Sequence, residues 1–136
     1  MSREIKFRAW DAGNSVMINP DYNDDHYILT IQQGSPELLE YAGDDFARYI
    51  EIESAIEQYT GLKDKNGVDI YEGDITPYLE CSKQGKVNAR VYYCDIKSQF
   101  IVKWIDDGIE LSDSLGHCNE WFDVIGNIHQ NPELIK

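Results

Sequence analysis

Basic residues are scarce in this chain. Its 136 residues include 12 Lys and Arg against 25 Asp and Glu, a formal net charge of −13. The deficit is uneven. Residues 1–8 are net +2, residues 9–62 hold Arg48 as their one base and are net −10, and residues 63–136 are net −5. A groove that tracks phosphates needs clustered Lys and Arg. Direct nucleic-acid binding is therefore disfavoured except at the opening face of Arg3, Lys6 and Arg8. The acidic stretch has two readings. It could imitate a phosphate backbone and act as a decoy for a basic DNA-binding protein, or it could simply keep the chain soluble.

Other absences narrow the field further. No apolar run approaches the ~18 residues of a membrane span. The start, MSREIKFRAWD, lacks the apolar stretch of a signal peptide. Cys81, Cys94 and Cys118 are an odd number with no CxxC spacing, which points to free thiols in a reducing cytoplasm. No GxSxG, HExxH, GxGxxG or GxxxxGK[ST] run occurs. His117 and Cys118 are adjacent, so on a strand they would face opposite sides and could not act as base and nucleophile. Asp21, Asn23 and Asp25 have the opening spacing of a calcium loop. His26 stands where its glycine belongs, however, and Gln32 where its closing glutamate belongs. The pairs Asp24-Asp25, Asp44-Asp45 and Asp106-Asp107 fall in turn-like segments. The expectation is a cytoplasmic protein without enzymatic activity, metal or cofactor.

What the chain does have is alternation between turn formers. Apolar residues make up 42% and aromatics 12%, a globular composition. Ile5, Phe7 and Ala9 alternate with Lys6, Arg8 and Trp10, then Asp11-Ala12-Gly13-Asn14 turns the chain, predicting a hairpin over 5–19. A strand is expected over 26–31. Ser35-Pro36-Glu37 has the chemistry of a helix start, predicting a short helix ended by Gly43. Residues 50–57 alternate as a strand, and 44–48 are open between helix and loop. Further strands are expected at 75–81, with Pro77 marking an edge or a bulge, and at 86–94, 100–104 and 109–111. A polar loop over 112–119 precedes a last strand over 121–128, and a turn begins at Asn131.

The run YTGLKDKNGVDIYEGDI (Tyr59–Ile75) has Gly61, Gly67 and Gly73 at six-residue intervals. Each permits a tight reversal. Asp64 and Asp74 are placed to accept hydrogen bonds from backbone amides of their own turns, and Tyr59 and Tyr71 to pack across the folded-over segment. With the opening REIKFRAWD (Arg3–Asp11) and the ending VIGNIHQNPEL (Val124–Leu134), this run resembles the YopX family of phage and prophage proteins. The resemblance implies a β-rich cytoplasmic protein of bacteriophages and integrated prophages. No biochemical activity defines that family, so no catalytic residue carries over. Residues 20–50 follow no family motif.

The expected fold is mainly β. A hairpin, a short helix and an acidic segment fill residues 1–60, and a small SH3-like curled barrel or sandwich with a C-terminal turn fills 61–136. The expected function is that of a protein-interaction module with an unknown protein partner. Trp10, Tyr71, Trp104 and the loop Lys63, Asp64, Lys65 and Asn66 are its candidate contacts, although buried core is the competing reading for the aromatics. The alternative is a nucleic-acid-linked role, through Arg3, Lys6 and Arg8 or as the acidic decoy. The slender arm before residue 59 also suggests a homo-oligomer.

Overall fold

The computed structural model describes residues 4–19, 27–32, 34–43, 49–51, 54–78 and 87–135. Antiparallel strands dominate the regular structure, as the alternation predicts. The chain divides into two compact units, residues 5–58 and residues 59–136 together with 1–4.

In the first unit, β1 (Phe7–Asp11) and β2 (Val16–Ile18) form the predicted hairpin, pairing Ala9 with Ile18 and Asp11 with Val16. The turn is held by Asp11, whose Oδ1 accepts the Gly13 amide at 3.0 Å and the Asn14 amide at 3.3 Å. Next come β3 (Tyr27–Gln32), β4 (Ser35–Tyr41) and β5 (Tyr49–Glu51), which form a sheet in chain order. The expected helix from Ser35 is therefore a strand. Gln32 pairs directly with Ser35, and the register continues to Tyr27 against Glu40. Pro36 fits because β5 pairs with β4 only from Leu39 to Tyr41. Its missing N–H thus lies past the reach of β5, where a ladder loses nothing. A small core forms from Ala9, Ile18 and Leu38, with Tyr27, Leu29 and Ile56 against it. The acidic run 20–26, residues 44–48 and Arg3 lie outside the described residues.

The chain leaves the first unit along β6 (Ser54–Lys63). Its first half pairs with β1, from Gln58 against Phe7 to Ser54 against Asp11. In the second unit its later half pairs with β7 (Asp69–Tyr71), Tyr59 against Tyr71 and Lys63 against Asp69. The register shifts between those pairs. Gly61 sits within the shift at φ 88°, so it makes a bulge and not the reversal its spacing suggested. The Thr60 hydroxyl bridges the irregularity. It donates to the Ile70 carbonyl at 2.7 Å and accepts from the Leu62 amide at 3.2 Å.

The remaining strands are β8 (Asp74–Tyr78), β9 (Val87–Cys94), β10 (Gln99–Asp106), β11 (Ile109–Ser114) and β12 (Gly126–Asn127). They form a five-stranded sheet in the order β11-β10-β9-β8-β12. β12 reaches only Asp74 and Ile75 of β8, so among the described residues no strand pairs with Pro77 on that side, as its chemistry required. Ala89, Val91, Val102 and Trp104 pack from one sheet face onto Ile70, Leu115, Cys118 and Phe122.

Two expectations fail in this unit. The supposed polar loop 112–119 holds the end of β11 and a one-turn helix, α1 (Leu115–Cys118), whose Leu115 and Cys118 are fully buried. The supposed strand 121–128 shrinks to β12. A 3₁₀ turn at Asn119–Trp121 takes the chain round, and Phe122 seals the core. Cys81 and the predicted turn at 82–85 lie outside the described residues.

Candidate functional site

The central motif folds inward. The loop after β6 places Asp64 where its carboxylate accepts three backbone amides: Asn66 at 2.8 Å, Val68 at 2.9 Å and Val124 at 3.0 Å. The third of these lies far along the chain. Around it, the Lys65 amide donates to the Phe122 carbonyl at 3.0 Å, and Asn119 Nδ2 donates to the Lys63 carbonyl at 3.0 Å. Asn66 Nδ2 reaches Asp123 Oδ1 at 3.1 Å. Burial pushes the Asp64 carboxyl up. The amides of Val124, Val68 and Asn66, with the Lys65 charge, outweigh it and hold the group below its ordinary value. Asp64 thus ties two distant segments together. Lys63 and Lys65 remain exposed, with Lys63 Nζ 2.6 Å from Asp69.

The predicted aromatics separate by burial. Tyr71 is buried and tilted against Tyr59, with ring centroids 5.6 Å apart, as expected for the folded-over segment. Trp104 is 6% exposed and belongs to the core. Trp10 is half-buried on β1 between Met17 and Ala55. None of the three offers an open aromatic face comparable to Trp121, which is 62% exposed.

Of the predicted basic face, Arg8 and Lys6 are among the described residues and Arg3 is not. Arg8 is buried and its Nε lies 3.1 Å from Glu57 Oε1, with their side chains 10% and 9% exposed. That charge is neutralised within the fold. Lys6 is half-buried.

Cys94 and Cys118 are free thiols. Burial, and then the nearby Asp113 carboxylate, pushes the Cys118 thiol up to about 11, the reverse of what a nucleophile requires. Among the described residues, no cluster of three or more His, Cys, Asp or Glu could hold a metal ion. No described helix is long and apolar enough to cross a membrane.

Exposed apolar side chains lie at several places among the described residues, Ile5, Ile96, Trp121, Ile105 and Ile109 among them. Ile105 is 64% and Ile109 60% exposed. They flank the Asp107-Gly108 turn between β10 and β11 and project from opposite faces of the sheet, Ile105 opposite Glu110 and Ile109 opposite Asp106; β11 is the end strand of its sheet among the described residues. An isoleucine beside a turn reads from sequence as strand interior. Only the position of the core, centred on Trp104 and Val102, leaves these two outside it. On the neighbouring strands, Arg90 lies 4.2 Å and Lys103 4.9 Å from the Tyr92 ring. Lys103 Nζ is also 3.2 Å from Glu110 Oε1.

Curled antiparallel sheets with a structural, inward-facing acidic motif define a mainly β protein. The YopX protein family model matches residues 6–136, and the chain belongs to that family. Among solved structures, protein EF1440 from Enterococcus faecalis is 32% identical, with a TM-score of 0.59, covering 99% of this chain and 100% of that one. Protein YopX from Bacillus subtilis is 19% identical, with a TM-score of 0.63 and the same coverage, and shares the fold. No curated protein matches the chain.

Proposed function

We propose that this protein is a non-enzymatic accessory protein of a phage or prophage that works inside the host cell by binding another protein. Membership of the YopX family supports the phage setting, and the free thiols of Cys94 and Cys118 support a reducing compartment. Several titratable groups of the kinds that serve catalysis elsewhere have structural work instead. Asp64 clamps three amides, Asp74 Oδ2 accepts the Tyr71 amide at 2.8 Å, and Arg8 pairs with Glu57.

The observation that carries the reading is the outer side of β11, which pairs with no strand among the described residues and whose Ile109 is exposed. Exposed apolar groups on a free sheet margin favour association with another surface. The test is quantitative co-purification from a lysate of the source organism, comparing the natural chain with Ile105→Glu/Ile109→Glu. Both positions are exposed, so the variant keeps its fold. The reading expects a protein recovered with the natural chain and lost with the variant. Identical recoveries from the two would refute it.

A further inference from the structure

The chain holds a single Asn-Gly pair, Asn66-Gly67, and both residues are exposed on the loop after β6. Asparagine is among the chemically labile side chains, and the residue after it decides how readily it reacts. Without a Cβ, a glycine nitrogen can swing against the side-chain carbon of the residue before it. Gly67 also stands clear, since a Cβ there would meet nothing within 4 Å. Every other asparagine of the chain precedes a residue that carries a Cβ.

The closed loop engages each reacting group elsewhere. The Gly67 amide, the attacking nitrogen, donates to the Asp64 carbonyl at 3.0 Å. The Asn66 amide donates to Asp64 Oδ1 at 2.8 Å, and Asn66 Nδ2, the leaving group, donates to Asp123 Oδ1 at 3.1 Å. Attack therefore requires the Asp64 turn to open and the Asn66 side chain to leave Asp123.

We propose that Asn66-Gly67 is a site of hydrolytic modification, guarded by the Asp64 turn while the loop is closed and converted when it opens. The Gly67 nitrogen bonds to Asn66 Cγ and gives its proton to the departing Nδ2, which leaves as ammonia. Water then adds to either carbonyl of the resulting five-membered imide and breaks its bond to nitrogen. One route leaves aspartate. The other leaves isoaspartate, whose main chain runs through Cγ. Nothing is oxidised or reduced. Both products put a carboxylate where a donor had met Asp123. That repulsion is small at so exposed a place, and Lys65 Nζ, 4.0 Å from Asp123 Oδ2, offsets part of it. Isoaspartate does more. It lengthens the main chain between the Asn66 and Val68 amides, which share Asp64 Oδ1 at 2.8 and 2.9 Å, so the two no longer fit it together. The bond from Val124 to the same carboxylate loosens with them. An opening of the loop thus becomes permanent, and the chain carries a one-way record of it.

The experiment follows the full chain at pH 8, folded and in urea, beside a blocked synthetic peptide of residues 63–69. Peptide mapping by mass spectrometry reads the change from amide to acid at Asn66 and separates aspartate from isoaspartate. The expected result is conversion in the peptide and in urea, with the folded chain at least about tenfold slower. The isoaspartyl chain, separated by its added negative charge, is then refolded for amide exchange. Val68 and Val124 should exchange at least about tenfold faster than in the natural chain, while the ladder between β9 and β10 stays slow. Equal rates in the folded chain and the peptide would overturn the guard. Absence of conversion in the peptide and in urea would overturn the site. Unchanged exchange at Val68 and Val124 in the isoaspartyl chain would overturn the release, and loss of the β9–β10 ladder as well would overturn it in favour of general unfolding.

Discussion

The Asp64 carboxylate accepts the backbone amide of Val124 at 3.0 Å, across 60 residues of chain. The same side chain closes its own loop through Asn66 and Val68. One aspartate thus converts a local turn into a long-range staple. Asp64→Ala leaves three part-buried amides without their acceptor, and an orphaned amide costs up to about 1–3 kcal/mol. The expected loss, partly relieved by water, is roughly 3 kcal/mol in denaturant unfolding. Asp64→Asn retains one carbonyl oxygen and should lose less.

Stability should also track the ionisation of this group. Its carboxyl is held below the ordinary value in the folded chain, so the unfolded chain binds the proton first. The Asp64 contribution is fully present above the ordinary carboxylate pKa of about 4. It is lost as pH falls through the lower folded value. Comparing unfolding free energies of the natural chain and Asp64→Asn from pH 6 to pH 2.5 checks this. The natural chain should show the steeper acid decline.

Arg8 and Glu57 are directly paired across β1 and β6, and their ion pair is buried. Removing one partner strands the other charge. Arg8→Ala should cost about 3–5 kcal/mol. Adding Glu57→Gln to it should cost little more, a coupling that a double-mutant cycle in urea would measure.

The close turn at the C-terminal end predicts a further sensitivity. A Cβ on Gly126 would lie 2.7 Å from Cγ of Asn131, whose Oδ1 accepts the Asn127 amide at 3.3 Å. Gly126→Ala should therefore destabilise by about 1–3 kcal/mol. Asn131→Gly in the same chain should recover part of that loss, because it removes the obstructing side chain.

Cys118 is 1% exposed and its thiol is raised to about 11. At pH 8 only about one molecule in a thousand would carry the thiolate. In a Cys81→Ser/Cys94→Ser chain, a thiol-reactive disulfide reagent should leave Cys118 unmodified under native conditions. Labelling should follow global unfolding in urea.

Much of the strand pattern was legible because local chemistry and global pairing agreed. Asp106-Asp107-Gly108 turns where its residues allow positive φ, and Tyr59 meets Tyr71 because a reversal near Gly67 brings β6 back against β7. The helix expected at Ser35 was illegible for the opposite reason. Its Ser-Pro-Glu start is a genuine capping signal, but β3 on one flank and β5 on the other supply ladder bonds that no local signal reveals. Leu115, Cys118 and Phe122 were hidden within polar neighbours, and only the Val102 and Trp104 face they cover shows their role. At the site, the amide-accepting role of Asp64 was legible from its turn. Its bond to Val124 was not, since it depends on how the chain returns after α1. Ile105 and Ile109 could be placed outside the core only once the core itself was placed.

Amide hydrogen exchange on the full chain tests the account most directly, because it reads the inward staple and the outward edge together. The account predicts that Val68 and Val124, bonded to Asp64, exchange nearly as slowly as the core strands. Glu110 and Ser112 should exchange at close to unprotected rates, while Leu111 between them is slow, because the pair closing the turn, Asp106 and Ile109, exchanges both ladder bonds and alternation then aims Leu111 at β10. Rapid exchange at Val68 and Val124, or protection at Glu110 and Ser112 equal to that of Leu111 in the isolated chain, would contradict it.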